Sequence, residues 1–491
     1  MTLGEVLQGV RLRTALPADL AERQISGLDY DSRRVSKGFL FFAFPGAHAD
    51  GRQFAMAAME KGAVAVVSEL APPQPFQGFW IEVEHGRHAL ALAARNFYGK
   101  PDERLGLTGV TGTNGKTTTT FLIDSVLRAA GKVTAMVGTI EYRLAGEVRA
   151  AVNTTPESLD LYRIFHELEQ VGGTHATMEV SSHALALGRV YGVTFHTAVF
   201  TNFTRDHLDF HHTMENYFAA KRLLFTPDGA PAPGWAVINQ DDPHGREISA
   251  TGEVLRYGFE PGADLKASAL EMTFEGLRFT VEHRGEKIRL ESPLVGKINA
   301  YNILAACGAA LSYGLDWKTI AKGIAECSGI PGRFESVDEG QPFLVVVDYA
   351  HTDDALRNVI AVARELKPGR VITLFGCGGD RDRSKRPLMG MAAGQASDFV
   401  ALTSDNPRSE DPIAIMNDAL VGLRRYDTPH IVEPDRGKAI RAVLREARPG
   451  DIVILAGKGH EPYQVLKDRV IHFDDRESAR EILRELGYQK R

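Results

Sequence analysis

Apolar runs of strand length recur along this chain, separated by polar loops and by stretches with helical spacing. In the middle of the chain, residues 105–110 read as a strand, Gly112-Thr113-Asn114-Gly115 as a loop, and residues 117–130 as a helix stopped by Gly131. Residues 132–137, 176–180, 197–201 and 235–239 are further strand candidates with helical candidates between several of them, which predicts a mostly parallel α/β sheet. The last third repeats the pattern: residues 343–347, 371–375, 399–403 and 451–456 are apolar runs, each followed at once by a polar loop (DYAHT, GCGGDRDR, SDNPR, GKGHE). Ligands of open α/β sheets bind at the carboxyl ends of strands, so these four loops are expected to converge on one site.

Punctuation divides the chain. The loop APPQPFQGF (71–79) is followed by a strand and a helix-like run ending at Gly99-Lys100-Pro101, and a second break falls at Ser328-Gly329-Ile330-Pro331-Gly332-Arg333. Pro331 restricts itself and the residue before it, while the glycines loosen the chain. The expected domains are therefore 1–100, 101–331 and 332–491, in line with 491 residues at roughly 150 per domain. Composition narrows the class. With 24% charged and 44% apolar residues the chain is an ordinary globular one, not disordered, collagen-like or coiled-coil. A net charge of −6 gives no basic excess to hold nucleic acid. No apolar stretch is long enough for a membrane span, and the N-terminus lacks the basic start and apolar block of a secretion signal. Cys307, Cys327 and Cys377 are far apart, with no CxxC spacing, which suggests a reducing, cytoplasmic setting and three small buried thiols.

The strongest local signal is Gly109-Val-Thr-Gly-Thr-Asn-Gly-Lys-Thr-Thr118. Backbone N–H groups of such a loop point at an anion, and the following helix adds its positive end. Gly112, Thr113, Asn114, Gly115, Thr117 and Thr118 would cradle the phosphates of ATP, Lys116 would meet the β- and γ-phosphates, and the Thr117 hydroxyl would ligate Mg²⁺. The spacing departs from G-x-x-x-x-G-K-[ST], because Val110 stands where the first glycine belongs. Glu179 and His207 each lie at or just after a strand end, where they offer further metal ligands. Tyr217, Lys221, Leu224 and Phe225 share one helical face, so Lys221 either snorkels to water or is buried with a lowered pKa. A neutral buried amine captures CO₂, and the carbamate is an anionic metal ligand.

These residues resemble the ATP-dependent Mur ligases of peptidoglycan synthesis. VTGTNGKTTTT, MEVSSHAL, NFTRDHLDFHHTMENYFAAKRLLF, GKINAYN, GIPGRFE, DYAHT, FGCGGDRDRSKRPLM, DNPR and GKGHE are similar to blocks of that family, in its order. Tyr30-Asp31-Ser32-Arg33 and Gly46-Ala47-His48-Ala49-Asp50-Gly51-Arg52 agree as well, so the resemblance covers nearly the whole chain. It implies an N-terminal α/β domain for the UDP end of the substrate, a central P-loop ATPase and a C-terminal Rossmann-like domain for the amino acid. It implies a reaction in which the D-Glu γ-carboxylate of UDP-MurNAc-L-Ala-D-Glu attacks ATP, an acyl phosphate forms, and an incoming amine displaces phosphate. By resemblance, Thr117 and Glu179 serve one Mg²⁺, and His207 with carbamylated Lys221 a second. Asn299 and Asn302 look like adenine-side residues, Arg333 lies near phosphate and Asp348 near ribose. Tyr30, Ser32, Asn153, Thr154, Thr155, Ser181 and Arg189 match positions that hold the UDP-sugar-peptide; where relatives can carry glutamine, this chain has Leu187.

The motif Asp405-Asn406-Pro407-Arg408 addresses the added amino acid. Lysine and meso-diaminopimelate differ by one distal carboxylate, which a guanidinium pairs through two parallel hydrogen bonds. Arg408 is that group by resemblance, with Arg381, Gly457 and Glu461 as the remaining contacts. Diaminopimelate is the expectation and L-lysine the alternative. A folate-polyglutamating relative shares the ATPase fold, but the YDSRR and GAHADGR blocks argue against it. An ATPase that remodels a macromolecule and a binding module with an inactive ATP site are the competing classes. The expected protein is a monomer without nucleic-acid or membrane partners.

Overall fold

A computed structural model describes residues 1–46, 49–327 and 329–489. Ala47 and His48 of the GAHADGR block and Ser328 of the second break lie outside the described residues. Two compact units are present: Met1–Ser268 with Val281–Ile288 and Tyr301–Ile324, and Ala269–Thr280 with Arg289–Ala300 and Ala325–Arg491. Among the described residues no helix is long and apolar enough to cross a membrane.

The first unit holds two sheets. Strands β1 (Gly27–Asp29), β2 (Phe39–Phe42), β3 (Ala65–Ser68) and β4 (Trp80–Glu82) pair in parallel in chain order. β4 follows the APPQPFQGF loop as predicted, and the helix Gly86–Phe97 packs its alanine-rich face into the core. The second sheet contains β5 (Gly106–Thr111), β6 (Thr134–Val137), β7 (Glu141–Leu144), β8 (Glu147–Ala150), β9 (His175–Glu179), β10 (Thr197–Phe200), β11 (Trp235–Asn239) and β12 (Glu253–Gly258). Their order is β12-β11-β10-β5-β9-β6-β7-β8, parallel from β12 to β6 and antiparallel at the β6-β7-β8 end. Strands buried on both faces read as continuous apolar runs, which is why β5, β6, β9, β10 and β11 match the predicted strands, whereas β12, exposed at its first two residues, matches none.

The hairpin β7-β8 was not visible. Its residues are polar and β8 is mostly exposed, and the turn is made by Ala145 and Gly146, both at positive φ (49° and 91°). Three further strands, β13 (Leu265–Thr273), β14 (Gly276–His283) and β15 (Glu286–Ser292), carry residues of both units.

The second unit is built on β16 (Glu335–Val337), β17 (Leu344–Asp348), β18 (Val371–Cys377), β19 (Phe399–Ser404), β20 (His430–Glu433) and β21 (Ile452–Ala456), in the order β16-β17-β21-β18-β19-β20. Only β16 is antiparallel. Leu356, Ile360, Met389 and Ile415 belong to one apolar cluster with the sheet, and Ile440, Val443 and Ile482 to the other, so helices cover both faces. β17, β21, β18 and β19 are neighbours, and the four polar loops leave their carboxyl ends side by side. All three cysteines are buried and unbridged.

Candidate active site

The phosphate loop joins β5 to the helix Lys116–Ala129. Gly112 takes φ 144° and Gly115 φ 86°, conformations that favour glycine, and a Cβ at Gly112 would stand 1.9 Å from Thr201 Oγ1. The loop is anchored from β10: Thr113 N–H donates to Asn202 O (2.8 Å), Asn114 N–H to Asn202 Oδ1 (2.9 Å), and Thr201 Oγ1 to Asn114 O (2.6 Å). Lys116 Nζ folds back onto the carbonyls of Gly112 and Thr113, 2.9 Å from each. Thr117 and Thr118 are buried at the first turn. Val110 lies inside β5, so the missing first glycine falls on the strand and the loop turns at Gly112 instead.

Lys221 is buried, with 1% of its surface exposed. Its Nζ donates to Gly112 O (2.7 Å), the same carbonyl that Lys116 holds, and lies 4.6 Å from the centre of the Tyr217 ring. Burial first, and then the neighbouring Lys116 charge, push its pKa far below the ordinary lysine value, with Asp206 opposing. The snorkelling alternative is thereby overturned. Tyr217 and Lys221 lie on the helix Met214–Arg222, which ends before Leu224 and Phe225, although both of these are buried too.

His207 stands at φ 52° ahead of the short helix Leu208–His211. Its ring lies 5.9 Å from that of Tyr217, whose hydroxyl is 3.2 Å from Thr113 Oγ1, so one ring links His207, Lys221 and the loop. Burial lowers the His207 pKa, which favours the neutral imidazole. Glu179 ends β9 opposite Val110 and is buried. Its carboxylate accepts from Thr139 N–H (2.8 Å) and Thr139 Oγ1 (3.1 Å). Among the described residues, no three His, Cys, Asp or Glu side chains gather as a ready-made metal cage.

Of the predicted substrate residues of this unit, Thr155 and Ser181 adjoin Glu179 and Thr154 is linked to it through Thr139. Thr155 Oγ1 donates to Glu179 O (2.9 Å) and accepts from Ser181 N–H (3.1 Å), and Thr154 Oγ1 is 3.1 Å from Thr139 Oγ1. Arg189 donates to Glu157 Oε1 and Thr155 O, both at 3.0 Å. Exposed Asn153 accepts through its carbonyl from the Tyr142 hydroxyl (2.5 Å), and Leu187 caps the helix Ser182–Ala186. The Tyr30 hydroxyl donates to Asp160 Oδ2 (2.5 Å), and Ser32 O accepts from Lys61 Nζ (2.9 Å). Asn302, on the helix Lys297–Ser312, accepts from Thr119 Oγ1 (3.4 Å); a Cβ at Gly115 would stand 2.4 Å from its Oδ1. The histidines at 183 and 211 went unremarked in the sequence, yet their rings pack 4.8 and 5.5 Å apart from His207 and from each other in the pairs 183–207 and 183–211.

In the second unit, Asn299 Nδ2 donates to Val295 O (2.7 Å). Both Asp348 carboxylate oxygens accept backbone amides, from Phe334 (2.7 Å) and Ala350 (2.9 Å), and burial raises its pKa. The Arg333 guanidinium lies 5.4 Å from the Tyr349 ring centre, and its buried Nε has no hydrogen-bond partner.

The DNPR and GKGHE loops meet. Asn406 Nδ2 donates to Glu461 Oε2 (2.9 Å), while Val465 N–H donates to Asn406 Oδ1 (2.9 Å). Arg408, at φ 52° just after Pro407, donates to Gly379 O (2.7 Å), tying in the GCGGDRDR loop; Arg381 on that loop is exposed. Gly457 takes φ 113°, and a Cβ there would stand 3.0 Å from Asp405 Oδ2. Two features went unread in the sequence. Lys458 is fully buried among Asp405, Asn406 and Glu461. Arg436, also buried, pairs through two bonds with Asp475 (2.7 and 2.6 Å) and donates to Ala456 O (3.0 Å) and Ser404 O (3.4 Å), fixing the ends of β21 and β19.

Three family descriptions match the chain in order: "Mur ligase family, catalytic domain" over residues 24–98, "Mur ligase middle domain" over 110–310, and "Mur ligase, glutamate ligase domain" over 332–459. A Solibacter usitatus protein named UDP-N-acetylmuramoyl-L-alanyl-D-glutamate--2,6-diaminopimelate ligase is 66% identical over 492 residues, covering 100% of both chains. A Geobacillus thermodenitrificans protein of the same name is 46% identical, over 94% of this chain and 95% of its own. A solved structure of a ligase of that name superposes with a TM-score of 0.73 at 33% identity over 100% of both chains. The MurF ligase of Thermotoga maritima, solved with ADP, shares the fold at a TM-score of 0.62 and 18% identity, over 94% and 97% of the two chains. Identity of this order along the entire length establishes that the chain belongs to the Mur ligase family.

Proposed function

We propose that this protein is an ATP-dependent amide ligase of peptidoglycan precursor synthesis, joining meso-2,6-diaminopimelate to the D-Glu γ-carboxylate of UDP-MurNAc-L-Ala-D-Glu. Residues 1–100 take the UDP end, 101–331 carry the ATPase and 332–491 receive the amino acid. The enzyme acts as a cytoplasmic monomer. One observation carries the reading: two lysine amines, Lys116 Nζ and Lys221 Nζ, converge on the Gly112 carbonyl of a glycine-bent loop at a helix N-terminus. Such a site is suited to bringing two anions, a carboxylate and a triphosphate, into contact.

The donor set fits Mg²⁺, a hard cation that takes one or two carboxylates with substrate phosphates and water. Thr117 and Glu179 would hold one ion, and His207 with carbamylated Lys221 a second. Lys221 suits carbamylation because its amine is buried without an ion-pair partner among the described residues: nitrogen bonds to the carbon of CO₂ and releases a proton. Bound Mg²⁺ would neutralise phosphate charge. The residues of the chain do the rest. Loop amides and Lys116 orient the γ-phosphate of ATP, with Asn299, Asn302, Arg333 and Asp348 on the nucleoside and phosphate side. Thr154, Thr155, Ser181 and Arg189 position the substrate carboxylate, whose oxygen attacks the γ-phosphorus as ADP leaves. The amine, presented by the DNPR and GKGHE loops, attacks the acyl carbon; phosphate departs, and loss of a proton gives the amide. Arg408 selects diaminopimelate because lysine would leave the guanidinium without a counter-ion.

The test is ADP release and product mass with UDP-MurNAc-L-Ala-D-Glu, ATP and either meso-diaminopimelate or L-lysine. The expected product is the diaminopimelyl tripeptide nucleotide; no tripeptide nucleotide with either amine would sink the reading.

A further inference from the structure

Lys458 is fully buried and has two carboxylates beside it: its Nζ is 3.4 Å from Glu461 Oε2 and 3.9 Å from Asp405 Oδ1. It also lies 3.4 Å from Asn406 Oδ1 and 5.6 Å from the Tyr463 ring centre. Glu461 Oε2 accepts from Asn406 as well, so Lys458 and Asn406 together fix one oxygen of Glu461. Asp405 Oδ1 is buried with no hydrogen bond, and Lys458 is the cation beside it. We infer that Lys458 is a positioning residue that sets both the geometry and the net charge of the amino-acid pocket, and thereby its preference between diaminopimelate and lysine.

Arg436 nearby is balanced by its pair with Asp475, so apart from Arg408 the two carboxylates and one ammonium leave a net charge of about −1, enough to receive one distal ammonium. Diaminopimelate brings a distal carboxylate along with that ammonium, whereas lysine brings the ammonium alone. Without Lys458 the second carboxylate is uncompensated. It repels the distal carboxylate of diaminopimelate and costs lysine nothing, so selectivity falls even though Arg408 is untouched.

This inference rests on the ligase reading. If the unaltered protein made no tripeptide nucleotide, that reading would fail, independently of the role of Lys458. In an active enzyme, Lys458→Met is expected to lower the kcat/KM ratio of meso-diaminopimelate to L-lysine about tenfold or more, with the KM for ATP changed less than about twofold. Restoring the balance in Lys458→Met/Glu461→Gln is expected to return most of that ratio. A merely structural lysine would depress both amines equally and leave the ratio unchanged, which would overturn the inference. If the single variant fails to fold, the double variant, which keeps Asp405 as the one carboxylate and so has the net charge of the unaltered pocket, is read against the unaltered enzyme. A ratio within about threefold of the unaltered enzyme then supports charge balance, and a fall of about tenfold or more overturns it.

Discussion

The two lysines at Gly112 are close in space yet differ in exposure, and that difference divides their roles. Lys116 is half-buried at the mouth of the loop, while Lys221 lies beneath it, where its charged form is costly. Lys221→Ala removes the amine that takes CO₂. Ligation is expected to fall about 10²-fold or more, and high bicarbonate is expected to restore nothing, as read by ADP release. Near-normal turnover in that variant would exclude the carbamate. Arg408 makes the complementary case. Arg408→Ala should raise the KM for diaminopimelate by about a hundredfold, roughly 3 kcal/mol, and leave that for ATP nearly unchanged. Equal losses for both substrates would mark the arginine as a loop brace, holding only Gly379 and Asn406. Both residues were legible because each stands in a motif. Lys458 was in plain view within GKGHE, but no spacing rule says that Asp405, Asn406 and Glu461 enclose it.

At the scale of elements, the active loops depend on how firmly the strand ends are held. Arg436 begins one helix and Asp475 another, and their buried pair grips the carbonyls where β19 and β21 stop. Asp475→Asn leaves a fully buried guanidinium without its counter-ion, at an expected cost of about 3–5 kcal/mol. A urea unfolding curve should show the midpoint drop, and an unchanged midpoint would mean that the carbonyl bonds alone suffice. The apolar runs of the sequence match nine of the parallel strands to within a residue or two, because burial on both faces writes them as runs rich in Val, Ile and Leu. The short or part-exposed parallel strands β1, β2, β3, β12 and β20 and the polar hairpin β7-β8 carry no such signal, and the helix expected to hold Leu224 and Phe225 ends at Arg222, two and three residues before them.

Across the whole molecule, histidine burial ties stability to pH. His88, His175 and His183 in the first unit and His460 in the second are pulled down to about 4, in each case chiefly by burial. An unfolded histidine titrates near 6.5, so between about 6.5 and 4 the unfolded chain binds more protons than the native one. The stability these groups contribute is full above 6.5 and is lost as pH falls toward 4; exposed His472, with a raised pKa, works weakly the other way. The thermal midpoint is therefore expected to fall between pH 7 and pH 5, and a flat or rising midpoint would contradict these burials. Sequence alone determined the α/β class, the phosphate loop, the strand-end position of Glu179 and the four polar loops, since each is written in local periodicity or in contiguous motif residues. Tertiary structure decided which charges lose water: Lys221 under Gly112, Lys458 between two carboxylates, Arg436 against Asp475. Desolvation depends on neighbours brought together from distant parts of the chain, and no window of sequence contains them.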